Sequence, residues 1–427
     1  MIGVAAGLGN IWRFPYMVGQ FGGAAFVLLY IGFVLLIGAP ALMAEWALGR
    51  HTRRGPVGAF ARAGLPQGNA VGWFFFFVMT MAAAYYTAVL GWVLFFALAE
   101  LGGSLGLSLD AGAILPPEKG FELRSFLLQA VCTGTVILAC VGMIKKGVRA
   151  GIERASRLLV PALFLSLLVL IVRALTLPGA SEGLGWYLLK FEPGAINGRV
   201  IVAALGQAIF SLSLGGTFMV IYGSYLEEDT PLAPSARWTA LGDTAVGLLA
   251  GLAIFPAVFA FGLEPSSGPG LLFETLPLAF SRMPLGWLFG FLFFASLLGV
   301  AYLSDVAAFE VLTAGLSDGR DVPRERGIWI MAGIVFLCSL PPTLNMSVFV
   351  PWDLTFGSGM QTVGVLLAVV TLSWVLARPT ALSELGLVGR RSSAILFGWL
   401  RYVVPGAILL VGLWWLASEV LGLVTGV

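Results

Sequence analysis

Long apolar stretches alternate with short polar ones along this chain. Eleven such stretches stand out, at residues 1–20, 24–47, 70–99, 123–144, 158–177, 199–226, 237–262, 277–316, 328–342, 355–377 and 395–423. A helix that crosses a bilayer needs roughly 20 mostly apolar residues. The stretches lack the two-residue alternation of membrane β-strands, and backbone groups in lipid must be satisfied within the segment, so the pattern predicts eleven helical spans. The connectors are short, and 101–122 and 178–198 read as outer loops bearing Gly, Pro and Ser.

The basic residues orient the spans. Arg50-His51-Thr52-Arg53-Arg54, the run from Lys145-Lys146 to Arg157, Arg320 to Arg326 and Arg378 to Arg401 all fall on one side. Only scattered cases such as Lys119, Lys190 and Arg282 fall on the other. Basic loops stay inside. The expectation is therefore a multi-pass protein of the cell inner (cytoplasmic) membrane, with its N-terminus in the cytoplasm.

Composition narrows the class further. Of 427 residues, 59% are hydrophobic and 11% charged, against about 25% charged in soluble domains. Net charge is +2 with no basic stripe, so nucleic acid is not an expected partner. Cys132, Cys140 and Cys338 lie in apolar segments and read as core residues, without the spacing of a disulfide framework or metal site. His51 is the only histidine and sits among arginines, which reads as a solvated loop residue. One histidine cannot build a His-based metal cluster or catalytic triad, and no nucleophile–base set is visible. An enzyme is not expected. No cleavable signal peptide is visible, and the sequence sets no oligomeric state.

Two spans carry residues that a membrane helix resists. The first reads GVAAGLGNIWRFPY, placing glycines, Asn10, Arg13 and Pro15 in mid-span. The sixth reads GQAIFSLSLGGTFMVIYGSYL, with Gly215-Gly216 at its centre. Gly-interrupted spans at corresponding places in two halves point to a transporter binding site. Unwound backbone there offers carbonyls to a cation and N–H groups to an anion. Small residues also serve close helix packing in membranes, but Asn10, Arg13 and Ser211 favour a site.

GLGNIWRFPY followed by GGAAF, EWALGR at 45–50, YYTAVLGW at 85–92 and GQAIFSLSLG with YGSYL resemble the neurotransmitter:sodium symporter family, in particular its bacterial leucine-transporter-like amino-acid carriers. The resemblance covers essentially the whole chain. It implies an all-α fold of about 11 transmembrane helices: a 5+5 inverted repeat plus one, with helices 1 and 6 broken. The first repeat would run over about 1–177, the second over about 199–377, and the extra helix over about 395–423. It also implies an amino-acid substrate beside Ala5, Gly7, Leu8, Gly9, Ala82, Tyr86, Phe210, Ser211, Ser213, Gly216, Val300 and Leu303. The N–H groups near Leu8 and Gly9 and the Tyr86 hydroxyl would meet the substrate carboxylate, and Phe210 would cover it. A first sodium site would use Ala5, Asn10, Ser211 and Asp243, all through hard oxygens. Arg13, Asp353 and Gln207 would form an outer gate, and Glu45 would accept hydrogen bonds from the unwound backbone of helices 1 and 6.

This sequence also departs from the family pattern. A second sodium site would keep the carbonyls of Gly3, Ala6 and Ala295, but its two hydroxyl ligands are replaced by Leu298 and Gly299. One sodium is therefore expected, with the second site a remnant. Thr313 stands where relatives place an inner-gate acid, and six residues before Gly7 make only about 9 Å of helix. Asp243 supplies a negative charge at the first site, so chloride is not expected as a cofactor, nor is any organic one. Gly216 is expected to enlarge a pocket walled by Ala82, Val300 and Leu303, suited to a large apolar or aromatic amino acid. The reading is a sodium-coupled amino-acid symporter working by alternating access. The alternatives are a non-transporting amino-acid sensor and a sodium-independent or proton-coupled carrier in which Asp243 or Asp305 titrates.

Overall fold

The structure is a computed structural model that describes residues 7–107, 109–145, 148–265, 268, 270–320, 322–387 and 393–417. Its regular elements among these residues are helices. In chain order they are α1 (Gly9–Arg13 continuing as Phe14–Phe21), α2 (Ala24–Thr52), α3 (Pro56–Arg62), α4 (Gly68–Ser104), α5 (Leu123–Lys145) and α6 (Val148–Leu175). Then follow α7 (Ala180–Leu188), α8 (Gly198–Ser211), α9 (Phe218–Ser224), α10 (Leu232–Ala260), α11 (Leu271–Thr275 with Leu276–Ser281) and α12 (Gly286–Arg320). The last are α13 (Arg324–Ser339), α14 (Met346–Val375), α15 (Arg378–Glu384) and α16 (Ala394–Trp415).

Nine helices among the described residues are long and apolar enough to cross a membrane. The two expected spans outside that set are the first and the sixth, which are the interrupted ones. Three boundaries differ from the hydropathy reading. The stretch 277–316 is two elements, because Leu285 adopts a left-handed turn (φ 57°) between α11 and α12. Both sides of that turn are apolar, so hydropathy alone runs through it. The tenth span begins at Met346, capped by the Asn345 side chain accepting from the Val348 N–H at 3.1 Å. The helix carries Pro351 within its first part, and a wide-turned segment over Asp353–Gly359 continues it past Asp353. The loop 178–198 contains α7.

Polarity is inverted at the periphery, as lipid requires. Val131 and Leu138 on α5, Leu165 on α6, Leu337 on α13 and Leu410 on α16 are all exposed. Asn10, Arg13, Glu45, Gln207, Asp243, Asp305 and Asp353 are buried. Intramembrane ionisable groups face the bundle interior because lipid cannot solvate them.

Close packing positions the broken helices. At Gly49 of α2 a Cβ would collide with the Val220 carbonyl, and at Gly223 of α9 it would collide with the Trp46 backbone. The two glycines thus let α9 lie directly on α2. Farther along, Arg50 donates to the carbonyls of Glu228 (3.1 Å) and Thr230 (3.0 Å), and its Nε reaches Glu384 Oε2 at 3.2 Å. His51 is not a solvated loop residue. It lies within α2, 3.2 Å from Glu384 Oε1, because the helix runs on past the apolar segment. At the other end of the bundle, Phe273 of α11 packs between Trp12, Trp92 and Phe96, with ring centroids 5.2–6.3 Å apart.

Overpacking at a helix contact costs about 1–3 kcal/mol. Gly49→Ala and Gly223→Ala should each lose stability on that scale. Gly185→Ala, where a Cβ meets nothing within 4 Å, should not. Thermal denaturation of the detergent-solubilised protein, followed by size exclusion, measures all three.

Candidate functional site

The site forms where α1 and the α8–α9 junction interrupt the bundle. On α1 the described residues begin at the interruption. Gly7 is a bend, and Leu8 onward is already helical, wound widely over Gly9–Arg13. Wide turns of this kind cluster at functional sites. Asn10 secures the bend, its Oδ1 accepting from the Gly7 N–H at 3.1 Å. The Leu8 N–H donates to the Tyr86 hydroxyl of α4 at 3.3 Å. Space is tight here: a Cβ on Gly7 would lie 2.8 Å from that hydroxyl and 3.0 Å from Ser304 Oγ.

The second break spans residues 212–217. Ser213, Gly215 and Gly216 all take positive φ there, at 54°, 148° and 74°, a region that glycine enters without steric cost. Glu45 of α2 holds the turn. Its Oε1 accepts from the N–H groups of Gly215 (2.9 Å) and Gly216 (2.8 Å). The expected contact of Glu45 with helix 1 does not occur among the described residues, where Oε2 has no hydrogen-bond partner.

Between the breaks lies a cluster of buried oxygens. Asn10 Nδ2 donates to Asp243 Oδ1 (2.7 Å), to the Asp243 carbonyl (2.9 Å) and to Ser211 Oγ (3.1 Å). Ser211 Oγ donates to Asp243 Oδ2 at 2.5 Å. Tyr30 of α2 joins them, its hydroxyl 3.1 Å from Ser211 Oγ and donating to Asp243 Oδ2 at 3.4 Å. The sequence reading missed Tyr30, because one tyrosine in AFVLLYIGFVLL carries no periodic signal. Its ring packs on Phe14, with centroids 4.8 Å apart.

A second polar cluster closes one side. Arg13 Nε lies 3.3 Å from both oxygens of Asp353, Nη1 donates to Gln207 Oε1 (2.8 Å), and Nη2 donates to Ser358 Oγ (2.6 Å). Tyr16 donates to Asp353 Oδ2 at 2.9 Å. Gln207 Nε2 also donates to the Gly9 carbonyl at 2.9 Å, which ties this cluster to the α1 turn. The guanidinium lies 4.7 Å over the Phe210 ring. Tyr16 and Ser358 had no assigned role in the sequence reading, although Tyr16 lies within the first motif.

A cavity of about 90 Å³ adjoins both breaks, with Gly7, Gly9, Ala82, Tyr86, Phe210, Ser211 and Ser213 at its wall. Met79, Leu214, Thr217, Phe218 and Gln361 add to it. The expected wall needs correction on α12. Val300 and Leu303 are fully buried in helix packing, and Ser304 and Ala308 line the cavity instead. Gly216 is not a pocket-enlarging position either. It is a left-handed backbone site where a Cβ would meet the Gly364 carbonyl at 3.0 Å and Phe60 at 3.1 Å. Gly3, Ala5 and Ala6 lie outside the described residues. Ala295 and Leu298 are partly exposed, and a Cβ on Gly299 would sit 2.9 Å from Leu159 of α6. Thr313 is buried with no hydrogen-bond partner for its hydroxyl among the described residues.

Two interrupted helices meeting beside a cavity, with buried polar clusters around them, define a secondary membrane transporter. The chain belongs to the sodium:neurotransmitter symporter family, whose sequence model matches residues 1–108 and 125–416. It is 34% identical to an uncharacterized sodium-dependent transporter, YhdH, of Bacillus subtilis, over 96% of this chain and 93% of that one. It is 31% identical to an uncharacterized sodium-dependent transporter of Haemophilus influenzae, over 96% and 94%. The crystal structure of MhsT in complex with L-phenylalanine superposes with a TM-score of 0.87 at 33% identity, covering 96% of each chain. The all-α fold with broken helices 1 and 6 thus holds as expected.

An unpaired buried donor costs about 1–3 kcal/mol. Glu45→Ala should therefore lose about twice that range, since it orphans two N–H groups, while Glu45→Gln keeps an acceptor and should lose less. Breaking a buried ion pair costs about 3–5 kcal/mol, so Arg13→Met and Asp353→Asn should each destabilise strongly but together cost less than their sum. Thermal melts of the single and double variants supply both comparisons.

Proposed function

We propose that the protein couples uptake of an amino acid with a large apolar or aromatic side chain to one sodium ion, by alternating access, without chloride. The observation that carries this reading is the convergence of Asn10, Ser211 and Asp243 at the meeting point of the two breaks. Asp243 is solvated there by three neutral groups, from Asn10, Ser211 and Tyr30, and no cationic side chain among the described residues bonds to it. A carboxylate held that way supplies the negative charge that a bound cation needs, which leaves no task for chloride. Asn10 turns its NH2 group to Asp243 here; rotating the amide presents its oxygen to an ion.

The Leu8 N–H and Tyr86 hydroxyl already converge and would take the substrate carboxylate between them. Gly7, Gly9, Ala82, Phe210, Ser211 and Ser213 surround the rest. Met79, Ala83, Leu214, Phe218 and Ala308 make the remaining wall largely apolar, which suits an apolar side chain. MhsT was crystallised with L-phenylalanine, which supports an amino acid of that kind. Arg13, Asp353 and Gln207 serve as the outer gate. Glu45 is structural. Leu298 and Gly299 offer no hydroxyl on α12, so one sodium suffices and the second site stays a remnant. The halves 1–177 and 199–377 act as the two repeats, in an inner membrane with the N-terminus cytoplasmic.

Sodium-dependent binding screened over the twenty amino acids, then uptake in proteoliposomes, tests this. Phenylalanine, leucine or tryptophan should bind saturably, with a sodium Hill coefficient near one. Uptake should survive replacement of chloride by gluconate, and Asp243→Asn should abolish sodium dependence. A Hill coefficient near two would overturn the stoichiometry, and loss of uptake without chloride would overturn chloride independence. Binding without any uptake would favour the sensor.

A further inference from the structure

The end of the bundle that carries Arg50 and Arg53 holds a second cavity, of about 490 Å³. Ligand pockets run to roughly 300–1,000 Å³, so it has room for a small molecule or a headgroup. It lies where α3, the first turns of α4 and the C-terminal part of α12 meet, and it shares no residue with the central cavity.

Its frame is close-packed. At Gly68 and Gly72 of α4 a Cβ would collide with the backbone of Ala61 and of Val57, so α4 lies directly on α3. At Gly315 of α12 a Cβ would sit 2.9 Å from the Phe76 ring and 3.6 Å from Pro56. The third wall is thus seated against the other two.

The chemistry of the wall is one-sided. Arg54, Arg62 and Asn69 line it beside Trp73, and no carboxylate does. The Arg54 stem runs along α3, with Cβ, Cγ and Cδ 3.4–3.6 Å from where a Cβ on Gly58 would be. Neighbouring cations are matched: Arg50 pairs with Glu384, Arg53 with Glu228 and Arg324 with Glu310. Arg54 and Arg62 have no hydrogen bond or ion pair among the described residues.

Depth narrows the choice of ligand. The apolar span of α4 begins at Gly68. Trp73 lies half-buried one turn past Asn69, and Phe74 and Phe77 beyond it are exposed. Tryptophan marks the membrane–water boundary, so the cavity opens at headgroup level. A guanidinium is a planar fork of donors that fits phosphate oxygens two at a time, and the Asn69 amide adds a further donor. We propose that this cavity is a phosphate-binding site, filled by the phosphate of a lipid headgroup or by a small soluble phosphate. Arg54 and Arg62 grip the oxygens, Asn69 donates to one of them, and Trp73 covers the apolar remainder of the ligand. The site goes beyond amino-acid transport and does not rest on it.

Calorimetric titration of the full-length protein in an uncharged detergent, without amino acid, tests this. The probes are dihexanoyl-phosphatidylglycerol, dihexanoylglycerol, which lacks the phosphate, and inorganic phosphate. The phosphatidylglycerol should bind saturably at one site per chain, and dihexanoylglycerol should not. Saturable binding of inorganic phosphate, or its competition with the lipid, identifies a soluble phosphate as sufficient; lipid binding that phosphate does not displace identifies the headgroup. The double variant Arg54→Gln/Arg62→Gln should weaken binding about tenfold or more, since bonds between charged groups are lost. Arg53→Gln/Arg324→Gln removes the same charge from residues outside the cavity and should leave binding unchanged. Absence of saturable binding by both phosphate probes overturns the proposal, as does equal loss in the two double variants or no loss in the first. If Arg54→Gln/Arg62→Gln does not fold, Arg62→Lys decides: it keeps the charge but loses the fork, and unchanged affinity there overturns the proposal.

Discussion

A helix that breaks inside a bilayer has no water to turn to. Each N–H and carbonyl released by the turn must find a partner within the protein, and that requirement organises the centre of this molecule. Asn10 meets Gly7, Tyr86 meets Leu8, Gln207 meets Gly9, and Glu45 meets Gly215 and Gly216. Each partner is a polar side chain, and Asn10, Gln207 and Glu45 are fully buried. The surrounding helices approach closely enough to deliver these groups only because residues such as Gly49 and Gly223 remove side chains from the contact.

Much of this was legible because the membrane makes polar residues conspicuous. Asn10, Arg13, Glu45 and Asp243 stand out in apolar runs, and the structure brings them to the two breaks or the cluster beside them. Tyr30, Tyr16 and Ser358 were harder to see. Tyrosine and serine cost little in a membrane helix, so nothing in the local sequence separates a structural hydroxyl from one aimed at Asp243 or Arg13. Only the tertiary arrangement makes the distinction.

The errors have a common physical origin as well. Gly216 was read by side-chain volume, but its positive φ and the carbonyl of Gly364 show that backbone shape governs that position. Val300 and Leu303 were placed by the family resemblance, and the cavity instead meets that helix at Ser304 and Ala308. Span boundaries failed where hydropathy is continuous but the backbone is not, as at Leu285, or where the backbone is continuous but hydropathy is not, as at Asp353. Sequence pattern reports burial well and backbone geometry poorly.

Gln207 gives these features a mechanical meaning. One end of its amide holds the Gly9 carbonyl, and the other holds the Arg13 guanidinium. A side chain this short cannot lengthen, and it is enclosed on every side. Any displacement of the α1 turn must either drag the amide, and the arginine with it, or sever one of the two bonds. The amide thus acts as a connecting rod: a displacement of the α1 turn reaches Asp353 through the Arg13 guanidinium that the amide holds.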